Sequence, residues 1–396
     1  LLRTPGLRAA LSASIIGRLP MGIAGLAILL YVQSGTGSFA AAGVVSSLYV
    51  LGLAAAAPLV GRTIDRLGPR PILLVSALIY PAALAMLVTL VENNAAVGWV
   101  ALTALVAGAT LPPITVSMRV LSARLFGDTD LLQTAYTVDS ILIESIFVAG
   151  PALVAFFVAA NLRGGAVLFA AICAVAGSAL FVRSPLIRQW TGPATHVRTS
   201  LLGPLRSRPL VATYLATLLY SIAFGLLEVA ITALATSQGR PVAAGWILAL
   251  VSVGSGLGAL VYGSRSWAMP PQRQYVVAQF AMAVGLGVLA PMSNLYWLAA
   301  LCVIAGSPMA PLLAVQSALV AGLAPRAMLA ESFTWAATSL LVGVSAGIAA
   351  GGAIVESYAP SLALMAASGS TFAAALVSLL ALRQENPGKE SRAVPR

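Results

Sequence analysis

The chain has 396 residues, 60% of them hydrophobic and only 8% charged, with a mean hydropathy of +0.97. Soluble proteins carry about 25% charged residues, so a water-facing globule, a disordered chain, a nucleic-acid module and a disulfide scaffold are excluded. The formal charge of +11 comes from 22 basic and 11 acidic residues, and the basic ones fall between apolar runs, where they read as membrane-side anchors.

A bilayer-spanning helix needs about 20 apolar residues. Twelve such runs follow one another, at 8–32, 39–60, 71–91, 97–119, 131–157, 165–182, 209–235, 242–263, 275–292, 296–319, 328–355 and 361–382. The first embeds Arg18. The second carries Gly43, Gly52 and Gly61, spaced nine apart. The fourth holds Ala107, Gly108 and Pro113 and reaches Arg119, a side chain placed to snorkel to lipid phosphate. In the fifth, Gln133, Thr137, Ser140 and Glu144 form one polar stripe, Asp139 lies off that face, and the pair Gly150–Pro151 follows. A polar stretch, 183–208, then separates six segments from six.

The seventh segment repeats the stripe with Tyr214, Thr217, Ser221, Phe224 and Glu228. Both stripes fit the wall of a cavity. The eighth carries Gly245, Gly254 and Gly263, the glycine spacing of the second at an offset of 202. Gly254, Gly256 and Gly258 superficially resemble a dinucleotide turn, but no strand precedes them, so they read as helix-packing residues. The tenth repeats the fourth with Ala305, Gly306 and Pro311 at an offset of 198. The eleventh opens near Glu331, with Trp335 and Thr338 on its face.

These readings predict an all-α membrane protein of 12 transmembrane helices in two pseudo-symmetric six-helix bundles. The bundles span 1–182 and 209–382, joined by a cytoplasmic linker at 183–208 and followed by a cytoplasmic tail at 383–396. With both termini cytoplasmic, only Arg163 and Arg240 fall on outer loops and only Arg18 within a helix; no other orientation approaches this asymmetry. No cleavable leader is recognised. Cys173 and Cys302 lie in apolar segments of opposite halves and read as small buried hydrophobes.

The chemical inventory argues against an enzyme. His196 is the only histidine and lies in the polar linker, and the only lysine, Lys389, is followed by Glu390. No phosphate-binding G-x-x-x-x-G-K-[ST] loop can form, and no cofactor or metal site is expected. Five charges lie within segments, Arg18, Asp139, Glu144, Glu228 and Glu331, and a charge at the bilayer centre costs about 2.5–3.5 kcal/mol. Each must be paired, protonated or hydrated. Arg18 and Asp139 sit at similar depth and can pair, for structure or for coupling. Glu144 and Glu228 are candidates to bind and release protons, Glu144 the stronger of the two, with local packing as the alternative. Glu331 serves either a helix N-terminus or the cavity. Tyr49, Ser140, Tyr220, Phe224, Trp246, Gln316, Glu331 and Trp335 are candidates to touch an organic substrate, with packing or interfacial roles open for the aromatics.

The loop after the second segment, GRTIDRLGPR, places Gly61, Asp65, Arg66, Gly68 and Arg70 in a pattern that resembles the major facilitator superfamily signature G-x-x-x-D-R-x-G-R-[RK]. Gly150–Pro151 resembles the core of that superfamily's antiporter motif. The resemblance implies a secondary transporter working by alternating access, in which Asp65 faces the start of the eleventh helix. It further implies proton-coupled efflux from a bacterial inner membrane, with a small-molecule substrate, protons and membrane lipids as partners and a monomer as the working unit. An importer or uniporter of a sugar, amino acid or organic acid, or a flippase for a lipid or lipophile, stands as the alternative.

Overall fold

The computed structural model describes residues 6–126, 130–188, 203–265, 267–325 and 328–385. The side chains of Asp65, Arg66, Gln133, Thr137 and Ser140, and the linker and tail at 189–202 and 386–396, lie outside the described residues. No strand forms among the described residues.

The first half comprises α1 (Leu7–Thr36), α2 (Phe39–Leu67), α3 (Pro69–Glu92), α4 (Val97–Ala109), α5 (Ile114–Phe126), α6 (Asp130–Ala159), α7 (Gly165–Arg183) and the short α8 (Pro185–Arg188). The second comprises α9 (Arg208–Ser237), α10 (Val242–Gly263), α11 (Pro271–Leu289), α12 (Leu295–Gly306), α13 (Met309–Leu323), α14 (Leu329–Ser357) and α15 (Pro360–Glu385). Local chemistry sets the corners. Gly37, with φ of 73°, closes α1 by donating to Gln33 O, and Ser38 Oγ accepts from Ala41 N at 3.1 Å to start α2. Gly68, with φ of 77°, turns the chain between α2 and α3, and Pro69 follows as a first helical residue, the place where a missing N–H costs nothing.

Two predicted segments are each broken in two. The fourth stops at Ala109 and resumes at Ile114, and the tenth stops at Gly306 and resumes at Met309. Pro112–Pro113 and Pro308 occupy the breaks, and proline both lacks the N–H of the helical ladder and crowds the preceding turn. Eleven spans among the described residues are long and apolar enough to cross a bilayer on composition alone. The ninth predicted segment, α11, is not among them, because Gln272, Arg273, Gln274 and Gln279 dilute it. It still packs against α12, α13 and α15, with Gln279 fully buried.

Each half has its own core. Ile23, Ile28, Leu29, Tyr80, Leu84 and Leu87 anchor the first, and Tyr220, Ile231, Met282, Leu286, Leu298 and Leu312 the second. The glycine repeat is a repeat of function in packing. A Cβ on Gly52 would strike the backbone of Leu105 in α4, and one on Gly254 the backbone of Val303 in α12. Gly108 lies against the carbonyl of Tyr49, and Gly306 against that of Val251, 202 residues later. Small residues permit such close helix approach.

Candidate functional site

The contacts joining the halves fall at the end of the molecule away from the linker. Gly43 of α2 meets Ile348 and Gly352 of α14, and Gly245 of α10 meets Pro151 and Ala155 of α6. Ser345 Oγ donates to Ser47 O at 2.9 Å. At the rim, Glu356 Oε2 accepts from the N–H groups of Phe39 and Ala40 at 2.7 and 3.3 Å, so a carboxylate of the second half caps the positive N-terminus of a helix of the first. Towards the linker, Gly61 and Gly263 have open space beside them. Among the described residues Gly61 therefore meets no close neighbour. Arg70 is exposed, as a headgroup anchor should be.

Between the halves lies a cavity of about 240 Å3. The first half contributes Met21, Gly22, Gly25 and Leu26 from α1 and Phe147 and Pro151 from α6; the second contributes Phe224, Leu227, Glu228, Leu248, Val251, Ser252 and Met309. Glu228 is the only titratable side chain in this wall among the described residues. Its Oε1 lies 3.8 Å from the point where a Cβ on Gly25 would stand, so α1 yields room for the carboxyl by having no side chain there. Glu144 is half-buried and lies three and seven residues before Phe147 and Pro151, hence on their face of α6 and one turn from the cavity.

Asp139 occupies a different setting. Its Oδ1 is 2.6 Å from Arg18 Nη1, and its Oδ2 accepts from Arg119 Nε at 3.2 Å. One carboxylate thus ties α1, α5 and α6 together. Arg119 does not reach only for lipid phosphate as its position suggested; it is 55% exposed yet paired, since α5, which starts anew after the proline break, packs against α6 and brings it onto Asp139.

Several expected cavity residues lie elsewhere. Tyr49 is buried in the first-half core, its hydroxyl 3.2 Å from that of Tyr80. Tyr220 is fully buried and donates to Gln316 Oε1 inside the second half, packed edge-on to Phe224 and Tyr275. Thr217 turns inward too, 3.2 Å from Tyr275 Oη. The polar stripe of α9 therefore divides: only Phe224 and Glu228 reach the cavity. Trp246 is 54% exposed and points about 200° round α10 from Leu248, away from the cavity. Trp335 packs on the cluster of Leu210, Tyr214, Val320 and Ala336 at the linker end. Glu331 is buried in the first turn of α14 with neither carboxyl oxygen hydrogen-bonded, where the helix N-terminus stabilises it. Gly150 packs on Gly22 of its own half, and it is Gly245 that lets the other half approach Pro151.

Met21, Phe147, Val251, Ser252 and Met309 were not singled out by sequence, being ordinary apolar or small residues within apolar helices. The Gly22-x-x-Gly25 pair was the one available signal, since it marks a helix face bare of side chains.

The Major Facilitator Superfamily model matches residues 10–229 and 213–395, one copy on each half. Among solved structures, the nucleoside transporter NupG superposes with a TM-score of 0.74 at 14% identity, covering 95% of this chain and 99% of its own. The POT family transporter PepTSo does so with a TM-score of 0.72 at 12% identity, covering 97% and 99%. No curated protein sequence matches the chain. The duplicated halves, the cavity at their junction and the matched family together assign the fold and the general activity: this multi-pass membrane protein is a transporter and belongs to the Major Facilitator Superfamily.

Proposed function

We propose that the chain is a proton-coupled secondary transporter that exports a small organic solute by alternating access, with Glu228 as the residue that carries the proton. The supporting observation is that, among the described residues, Glu228 is the only titratable side chain lining the cavity between the halves, and it has no ion pair there to hold it charged. A lone carboxyl next to the bilayer centre is costly when ionised, so it takes up a proton when occluded and gives it up on hydration. The largely apolar wall suits an amphiphilic solute whose cation or hydroxyl meets that carboxyl. Glu144, one turn away, is the second candidate. Asp139, held by two arginines, is a structural acid in this reading.

Export follows from the likeness of Gly150–Pro151 to the antiporter motif. Import of a soluble metabolite is the second reading, favoured by the structural likeness to a nucleoside transporter and a POT family transporter. We further propose units at 1–182 and 209–382, linker and termini in the cytoplasm of a bacterial cell, and a monomer in the inner membrane. In that orientation the cavity wall meets at the outer side. Cysteines at Arg163 and Arg240 should label with an impermeant thiol reagent from outside, and one at Arg70 should not.

The deciding experiment is transport in proteoliposomes against a compound panel, with and without a pH gradient, in both directions. Glu228→Gln should keep substrate counterflow and lose gradient-driven accumulation. Full gradient-driven transport by this variant transfers the role to Glu144.

A further inference from the structure

We propose that a membrane-facing groove in the second half binds an anionic phospholipid, with an acyl chain lying along α11 and the phosphate held by Arg265 and Arg273. Two cavities of about 380 and 610 Å3 run together along α11 and share Val277, Ser307 and Pro308 in their walls. They exist because the α12–α13 helix breaks at Ser307–Pro308, which removes part of a turn from the wall facing α11. From Val277 to Val288 the groove follows α11 for about 16 Å of helix.

The groove faces lipid. Leu257 and Val261 of α10 line it, roughly opposite the face on which Leu248, Val251 and Ser252 line the central cavity. Val277, Val284 and Ile304 in its wall are each more than half exposed, and in a membrane protein such a surface meets acyl chains. What separates it from general lipid contact is a built mouth at the linker end. Trp267 stacks on Tyr262 with ring centroids 5.6 Å apart and donates from Nε1 to Tyr262 O at 2.9 Å. Tyr262 Oη donates to Gln274 Oε1 at 2.5 Å, and Gln274 Nε2 donates to Met269 O at 2.5 Å. Aromatic residues of this kind settle at the headgroup level.

Charge completes the match. Arg273 lies one turn before Val277 on the groove-lining stripe of α11, and Arg265 lies beside Trp267 in the turn above. Both are exposed, and neither pairs with a carboxylate among the described residues. Basic residues at the end of a groove between membrane helices recognise anionic headgroups. A zwitterionic lipid brings its own cation beside the phosphate, which cancels part of the charge the two guanidinium groups would meet, whereas an anionic lipid brings none.

The test uses the full chain in nanodiscs of phosphatidylcholine, titrated with phosphatidylglycerol or phosphatidylcholine brominated near the glycerol, reading tryptophan quenching. Trp267→Phe assigns the Trp267 component. Brominated phosphatidylglycerol should quench Trp267 several-fold more effectively than its zwitterionic counterpart. Arg265→Gln/Arg273→Gln should abolish that preference, and Ala281→Phe, which fills the groove, should lower quenching by both lipids. Equal quenching by the two lipids, or a preference that survives the double substitution, overturns the proposal. So does undiminished quenching by either lipid in Ala281→Phe, or displacement by inorganic phosphate, which would make the arginines a free-anion site. Transport plays no part in the readout, so the result stands apart from the role of Glu228.

Discussion

Asp139 and Glu228 are both acids within the membrane-spanning bundle, and both depend on α1, yet they are accommodated in opposite ways. Asp139 is buried against Arg18 and Arg119, its charge answered by fixed partners of its own half. Glu228 faces a cavity between halves, opposite Gly25, with no fixed counter-charge among the described residues. Arg18 and Gly25 stand two turns apart on the same helix, so α1 supplies a counter-charge to one acid and empty space to the other. The first arrangement makes a charge permanent and spends it on holding three helices together. The second leaves the carboxyl free to change state as the halves move.

The sharpest way to break this comparison is to neutralise each acid and measure stability. Asp139→Asn leaves Arg18 buried without its anion, which should cost about 3–5 kcal/mol and lower the midpoint of thermal unfolding in detergent. Glu228→Gln should change stability by less than about 1 kcal/mol. Equal effects would mean that the two acids are not differently held. The double variant Arg18→Met/Asp139→Leu should recover most of the loss, because a well-packed apolar pair can replace a buried ion pair.

Next in size is the seal above Glu228. Gly245→Leu forces a side chain into the carbonyl of Pro151 and the methyl of Ala155. Overpacking costs about 1–3 kcal/mol, here charged only to the conformation in which the halves touch, so outer-end cysteine accessibility should rise at least fivefold. Removing the hydroxyl of Tyr49, by Tyr49→Phe, should cost about 1 kcal/mol in unfolding and leave the transport KM unchanged; a raised KM would return Tyr49 to the substrate path.

The smallest effect belongs to the rim. Glu356→Gln keeps the shape but removes the charge at the N-terminus of α2, worth about 0.3–1 kcal/mol at an exposed site. That corresponds to a shift of about two- to fivefold towards the conformation open at that end, readable by spin-label distances across α2 and α14. An unchanged distance distribution would show that the glycine contacts alone hold the rim.

Much of the fold was legible because the membrane imposes a simple code. Apolar length marked the crossings, and the glycine offsets marked the duplication, since helices that approach closely need small residues at repeated places. The code fell short at the two proline breaks, which lie inside runs of uniform hydropathy, and it held only weakly at α11, where Gln279 faces the protein interior. The candidate site was legible only in its exceptional residues. Arg18, Asp139, Glu144 and Glu228 stood out as charges in apolar segments, whereas Met21, Phe147 and Val251 look like any lipid-facing residue.

What the sequence by itself determined is the solvent and the architecture: a chain with so few charges must live in a bilayer, satisfy its backbone in helices and repeat one bundle twice. Only the tertiary structure decided which residues of a stripe face the cavity. Thr217, Tyr220, Phe224 and Glu228 share one side of α9 by spacing, yet the first two bond to Tyr275 and Gln316 inside their own half, and the last two line the cavity. Helical periodicity sets the angle at which a side chain leaves its helix. What it meets there depends on the neighbouring helices, and at successive depths along α9 those neighbours change from α11 and α13 to α1.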